Sequence, residues 1–294
     1  MASSRGASPV SEPNLLDREY MPSRLARDPA GSLRRYRTRS DEARARLEVR
    51  EAVPYGSAAV ERCHVFPAAA RPGAGAPALV FVHGGHWQES GIDEACFAAE
   101  HVVAYGFAYV AVSYGLAPDR TVPDMITSVR AALTWLAETG PVHGIDPDRI
   151  HVAGSSAGAH LLAAALAGPV APRVRSACLL SGLYDLSEIP WTSVNDAVGL
   201  SPGAARECSP LGMPAPRCPA VLLAAGEYET DTYRCQQARY GEYLAALGVP
   251  VTTWSVPDRD HFDLPLDLAD PATLFGRISM QHFGMAKSFP GKER

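Results

Sequence analysis

At 294 residues, 47% of them hydrophobic, the chain can enclose a large core and falls within the range of one long α/β domain. A formal charge of -5 argues against the basic body of a nucleic-acid-binding protein. No run approaches 18 apolar residues, and the six cysteines form neither a C-x-x-C pair nor a zinc-ligand spacing beside histidine, so neither a membrane span nor a metal is expected.

Residues 1–14 are rich in Ser and Pro and read as disordered; without an apolar leader segment they suggest a cytoplasmic protein. Residues 15–50 read as a polar helical extension, broken at Pro22 and again around residues 29–31. Residues 1–50 carry 11 Arg against 7 acidic residues, a net +4, which leaves -9 on the remainder. A basic arm on an acidic body reads first as packing and solubility, and second as a way to attract an anionic substrate.

From residue 51 to 294 the pattern alternates. "RCHVF" and "ALVFVH" are strands, and residues 93–106 read as a helix opening on Asp93 and stopping at Gly106. "FAYVAVS" is the next strand. The following segment places Val122, Met125, Ile126, Val129, Leu133 and Leu136 on one helical face. "RIHVAG" is a strand, "AGAHLLAAALAGP" a helix closed by Gly168 and Pro169, and "SACLLSG", "AVLLAAG" and "VTTWSV" are strands. A helix in "TYRCQQARYGEYLAALG" separates the last two. Near-continuous apolar strands alternating with helices predict a mostly parallel sheet covered on both faces, in a single α/β domain with an N-terminal helical extension.

Chemistry is concentrated in four places. "GSSAG" is a G-x-S-x-G motif between a strand and a helix, the setting that lifts Ser156 onto a sharp turn. For this arrangement the partners follow in the order Ser, acid, His. His261, just after "VTTWSV", is the expected base, while His64, His101, His143, His151 and His160 read as structural. In "EYETD", after "AVLLAAG", Glu229 is the expected acid with Asp231 second. "HGGHWQES" supplies Gly84 and Gly85, whose bare backbone would offer amides to an oxyanion together with the N–H of Ala157. His83 is expected to orient this loop and Trp87 to wall the pocket.

Taken together, "HGGHWQES", "SYGLAP", "GSSAGAH", "SGLYDL" and "DHFDL" resemble the kynurenine formamidases (arylformamidases) of the α/β-hydrolase superfamily. The likeness runs from near Tyr20 to beyond His261. It implies Ser156 as nucleophile, His261 as base, an oxyanion hole bordered by Gly84 and Gly85, and hydrolysis of N-formyl-L-kynurenine to kynurenine and formate, without cofactor or metal. Glu229 stands where the animal enzymes carry Asp, Ser155 where His is frequent, and His86 where Tyr can stand. An aryl substrate would suit Trp87, Tyr114, Trp191 and Phe262, with His86 and Ser155 beside the pocket. The expected partner is a small molecule rather than nucleic acid or membrane, with the assembly state open and a homodimer one option. Two rivals remain: a small-acyl esterase or deacylase with the same triad, and a binding module on a dead hydrolase, which the intact set of motifs disfavours. The extension, Tyr20 to Arg46, is expected to pack over the pocket mouth.

Overall fold

The computed structural model describes residues 15–68, 75–168 and 172–285. The expected disorder of 1–14 and the helix stop at Pro169 concern residues outside that set. Among the described residues, eight strands form one sheet: β1 (Arg50–Pro54), β2 (Arg62–Phe66), β3 (Ala76–Val82), β4 (Ala108–Val112), β5 (Ile145–Ser155), β6 (Ser176–Leu180), β7 (Val221–Tyr228) and β8 (Val251–Asp260). The strand order is β1-β2-β4-β3-β5-β6-β7-β8. The pairs β1–β2 and β2–β4 are antiparallel, and every later pair is parallel. The helices are α1 (Leu15–Glu19), α2 (Pro29–Arg46), α3 (Ala99–Ala104), α4 (Val122–Thr139), α5 (Ala157–Ala165), α6 (Asn195–Val198), α7 (Pro202–Glu207), α8 (Asp231–Ala246) and α9 (Leu274–Phe283).

The sheet separates two apolar layers, and each strand feeds both by alternation. Ala78, Val80 and Val82 of β3 face the layer that holds α4, α5 and α8, whereas Leu79 and Phe81 face the layer of α3 and α9. Burial on both faces is why the central strands read as unbroken apolar runs. Helix α4 begins with a capping box between Thr121 and Asp124. It buries all six apolar residues expected on its inner face. At about 1.5–3 kcal/mol for each fully buried side chain, that stripe outweighs the cap in holding the helix to the sheet.

The sequence misplaced three elements. Pro29 begins a helix instead of breaking one: α2 is continuous over 18 residues, Pro29 occupies its first turn, and Asp28 caps it by accepting from the Gly31 N–H at 2.8 Å. The helix expected to open on Asp93 shrinks to α3, because Asp93 is taken by Arg44 and His64 at 2.9 and 3.0 Å and caps nothing. His282 lies within α9, where a helix was not expected, and its Nε2 meets the Ala177 carbonyl at 3.0 Å.

Strand β3 has β4 on one side and β5 on the other, so successive strands are added in opposite directions across the sheet from that point. Such a switch point leaves a crevice at the C-terminal edge of a parallel sheet. Among the described residues no helix is long and apolar enough to cross a membrane.

Where β5 meets α5, two glycines allow backbones to touch. A Cβ on Gly158 would overlap the carbonyl oxygens of Val82 and His83, and one on Gly154 would stand 2.8 Å from the Gly158 carbonyl. Gly158→Ala is therefore expected to destabilise the fold by about 2–3 kcal/mol or more, since backbone cannot yield as a side chain can. Denaturant unfolding of the purified variant measures this.

Candidate active site

The end of β5 and the start of α5 meet at Ser156, whose φ of 54° and ψ of -119° lie outside the ordinary regions for a side-chain-bearing residue. Strain of that kind costs about 1–3 kcal/mol and persists only when its surroundings hold it. Here they do: the Ser156 N–H donates to the Leu180 carbonyl at 2.8 Å, and its own carbonyl accepts from His160 at 3.1 Å. The turn presents the hydroxyl above the first turn of α5, whose unpaired N–H groups, Ala157's among them, favour negative charge.

Two strands away, β7 and β8 deliver a second pair of groups. Tyr228 pairs with Asp260 at the last rung, so the next residues, Glu229 and His261, emerge side by side. His261 Nδ1 lies 3.0 Å from Glu229 Oε2 and 3.2 Å from Oε1. Glu229 is completely buried and His261 nearly so, which shields the pair from water. Asp231 is exposed and paired with Arg234, and Glu227 accepts from the Asp258 N–H at 2.9 Å. Of the three carboxylates in "EYETD", only Glu229 meets the histidine. Tyr233 packs beside this pair: its ring stands edge-on to His261 at 4.8 Å, and its hydroxyl lies 3.2 Å from His86 Nε2.

The loop after β3 approaches from the other side. A Cβ on Gly84 would sit 2.9 Å from the Ser155 carbonyl and 3.1 Å from Ser156 Cβ, so this glycine lets the loop lie on the nucleophile turn. Gly85 has φ of 106°, and a Cβ there would overlap the Glu89 carbonyl. His86 and Trp87 continue in the left-handed region at 48° and 61°. Thus the two glycines serve close packing and chain reversal. His83 orients the loop: its Nδ1 lies 2.8 Å from the Gly84 carbonyl, and its ring stacks on Tyr114. Burial pushes its pKa down to about 4, so it is neutral near pH 7.

The aromatic residues expected around the substrate divide. Trp87 is wholly buried and donates its indole N–H to His160 Nδ1 at 3.1 Å, which makes it core instead of an open wall. Tyr114 is also buried, bonded to the His83 carbonyl at 3.1 Å, and supports the loop from beneath. Ser155 is the last residue of β5 and is buried beside the turn. Phe262 is half-buried against the His261 ring at 5.4 Å, and Trp191 is 67% exposed. His86 is half-buried with its Nε2 3.2 Å from the Tyr233 hydroxyl. Among the remaining histidines, His64 and His151 are held by Asp93 and Ser176, and His160 by Cys208 as well as Trp87.

Known proteins carry the same plan. Residues 66–175 match the BD-FAE family profile. Kynurenine formamidase from Danio rerio is 29% identical over 83% of this chain and 85% of its own length. The Salmo salar kynurenine formamidase is 30% identical over 74% of this chain and 76% of its own. The chain belongs to the kynurenine formamidase family. A crystal structure of a protein assigned as a thioesterase, from Silicibacter sp. TM1040, superposes with a TM-score of 0.80 at 25% identity, covering 90% of this chain and 99% of that one. The fold is that of an α/β-hydrolase, and the chain is a hydrolase.

Several residues of this formamidase-family site escaped the sequence reading. Ser181, at the end of β6 with φ of 48°, donates to Glu229 Oε1 at 2.5 Å and fixes the carboxylate. Tyr233 sits in the first turn of α8, four residues after Glu229, and is wholly buried. The basic arm proves to be a brace. Thr230 donates to the Glu19 carbonyl at 2.7 Å, and Glu19 Oε2 accepts from the Thr232 N–H at 3.0 Å, both beside the acid. Next to the base, Asp260 Oδ2 accepts from the Arg27 N–H at 2.9 Å, and Tyr36 donates to the Phe262 carbonyl at 2.5 Å. The arm's charge is met by Glu94, Asp93 and Glu100, which pair with Arg37, Arg44 and Arg46.

Asp260 is the hub of the base loop, because its Oδ1 also accepts from Phe262 and Asp263 at 2.8 and 3.0 Å. Asp260→Ala would orphan three backbone donors at about 1–3 kcal/mol each if all stayed dry, with partial recovery from water. A loss of about 3 kcal/mol and a marked fall in turnover are expected, read by thermal unfolding and steady-state kinetics on one preparation.

Proposed function

We propose that the chain hydrolyses aryl formamides, converting N-formyl-L-kynurenine and water to L-kynurenine and formate. The observation that carries the reading is the buried His261–Glu229 pair together with a strained Ser156 on a strand–turn–helix elbow, in a chain of the kynurenine formamidase family. Ser156 attacks the formyl carbon as His261 Nε2 takes the hydroxyl proton. Glu229 holds Nδ1–H, fixing the tautomer and balancing the imidazolium, and Ser181 keeps Glu229 in place. The oxyanion is met by backbone N–H groups of the 84–85 loop and Ala157, each such donor being worth about 3–4 kcal/mol. His261 then protonates the departing aniline nitrogen. Water, giving its proton to His261, releases formate from the formyl-enzyme and regenerates Ser156.

Glutamate in place of aspartate as the acid extends the reach by one methylene. Here that length is absorbed because Glu229 lies one residue past the last rung of β7. A second reading, hydrolysis of small esters or thioesters, draws support from LipQ of Mycobacterium tuberculosis, named an esterase and 28% identical over 66% of this chain, and from the thioesterase assignment of the Silicibacter protein.

The decisive experiment measures formate release from N-formyl-L-kynurenine beside nitrophenolate release from p-nitrophenyl acetate. A formamide kcat/KM well above that of the ester supports the proposal, and the reverse order moves the substrate to esters. Ser156→Ala should abolish both activities. Glu229→Gln should lower kcat by about 10³–10⁴-fold, as loss of the orienting acid does in serine triads. Asp231→Asn, a change in an exposed ion pair, should leave kcat within about twofold.

A further inference from the structure

Buried rings anchor the loop after β3 at both of its ends. Gly85, His86 and Trp87 pass through the left-handed region in succession, at φ of 106°, 48° and 61°. Two of the three carry side chains, so the run persists only where its surroundings hold it. At its start, His83 Nδ1 lies 2.8 Å from the Gly84 carbonyl and the ring stacks on Tyr114. At its end, the Trp87 carbonyl accepts from the Ala117 N–H at 2.8 Å, and the Trp87 indole N–H donates to His160 Nδ1 at 3.1 Å. On the mechanism proposed above, the loop amides that meet the oxyanion lie between these two anchors.

The tautomer of His160 follows from its partners. An indole N–H is a donor only, so Nδ1 carries no proton and accepts. The neutral ring then has its hydrogen on Nε2, which donates to the Cys208 carbonyl at 2.9 Å. Burial pushes the His160 pKa down to about 4, with the Cys208 bond opposing, so the ring keeps this form near pH 7. Trp87 and His160 are both completely buried, and their rings meet edge to face with centroids 5.2 Å apart. His160 lies one turn into α5, and its backbone N–H donates to the Ser156 carbonyl at 3.1 Å. One residue thus grips the nucleophile turn with its backbone and the oxyanion loop with one ring nitrogen. Its other ring nitrogen holds Cys208, which caps the end of α7.

We propose that His160 is a positioning residue for acyl transfer: through the Trp87 indole it fixes the oxyanion loop to the nucleophile helix, so that the two sides of the oxyanion hole stay in register. Ala157, whose N–H is one side of that hole, belongs to the same helix as His160. The strut therefore ties the loop amides to the amide they work with. Being buried, neither ring reaches the substrate, and both act through the loop. A developing oxyanion depends on the placement of its donors more than a neutral carbonyl does. Loosening the strut therefore raises the barrier and spares substrate binding.

The inference rests on the serine mechanism proposed above, whatever the acyl group. Trp87→Phe keeps an aromatic ring in place and removes the donor. Its kcat/KM for p-nitrophenyl acetate should fall about tenfold, the scale of one neutral hydrogen bond. Its affinity for an aryl trifluoromethyl ketone, whose adduct with Ser156 carries the oxyanion, should weaken by the same factor. Affinity for the corresponding methyl ketone, which binds without forming the adduct, should stay within about twofold. Two changes at His160 separate its nitrogens. Asparagine sets an amide oxygen where Nδ1 stands, and glutamine an amide nitrogen where Nε2 stands. His160→Asn should keep turnover and trifluoromethyl ketone affinity within about threefold, whereas His160→Gln should lose about tenfold in both. This pair also decides the matter if Trp87→Phe does not fold. Equal turnover in the two His160 variants, an unchanged Trp87→Phe, or a fall in kcat/KM without the matching loss of trifluoromethyl ketone affinity overturns the proposal. Failure of the wild type to react with a fluorophosphonate would instead unseat Ser156 as nucleophile and the mechanism beneath the inference.

Discussion

Three backbone segments meet at this site with no side chain between them. The end of β3, the turn at Ser156 and the first turn of α5 approach so closely that Gly84, Gly154 and Gly158 have no room for a Cβ. Every other feature depends on that contact. It holds Ser156 in a conformation it would otherwise leave, lays the loop at Gly84 against the Ser156 turn, and sets the crevice into which β7 and β8 deliver their loops. Strain at one residue is maintained by packing density around it, as is expected where a backbone is held away from its preferred state.

Much of this was legible from the residue pattern, for reasons that differ by element. Strands buried on both faces announce themselves as apolar runs, and α4 as a 3–4 spacing, because the signal is local and repeated. Ser156 was legible because the strand, turn and helix that give G-x-S-x-G its meaning are contiguous. Glu229 was harder. It shares its segment with Glu227 and Asp231, and only the rung between Tyr228 and Asp260 decides which carboxylate faces His261. Trp87 reads from its place in the oxyanion-loop motif as a pocket wall. Three successive left-handed residues instead turn it inward onto His160.

What stayed hidden depends on contacts between distant residues. Ser181 and Glu229 are 48 positions apart, and Arg27 and Asp260 are 233 apart. No periodicity records such a meeting. The arm shows the same limit in another form. Its low hydropathy marked it correctly as a surface element, yet its worth lies in single hydrogen bonds from Glu19, Arg27 and Tyr36 to the two loops. Its many arginine pairs are exposed, and pairs of that kind contribute about 0–1 kcal/mol each.

The brace also sets an order of events during synthesis. The strands and helix around Ser156 come from residues 76–165, and the turn itself is tied down once β6 follows, because the Ser156 N–H donates to the Leu180 carbonyl at 2.8 Å. The acid and base appear only when β7 and β8 have followed, and their loops are fastened by residues made at the outset and waiting undocked since. Closing contacts across more than 200 residues is slow compared with forming local turns and helices. On the hydrolytic mechanism proposed above, a half-folded molecule whose β7 and β8 loops are undocked would hold Ser156 apart from His261 and Glu229. On that mechanism reactivity would arrive last, when the first and final thirds of the chain join, so that turnover would report complete folding more faithfully than helix content can.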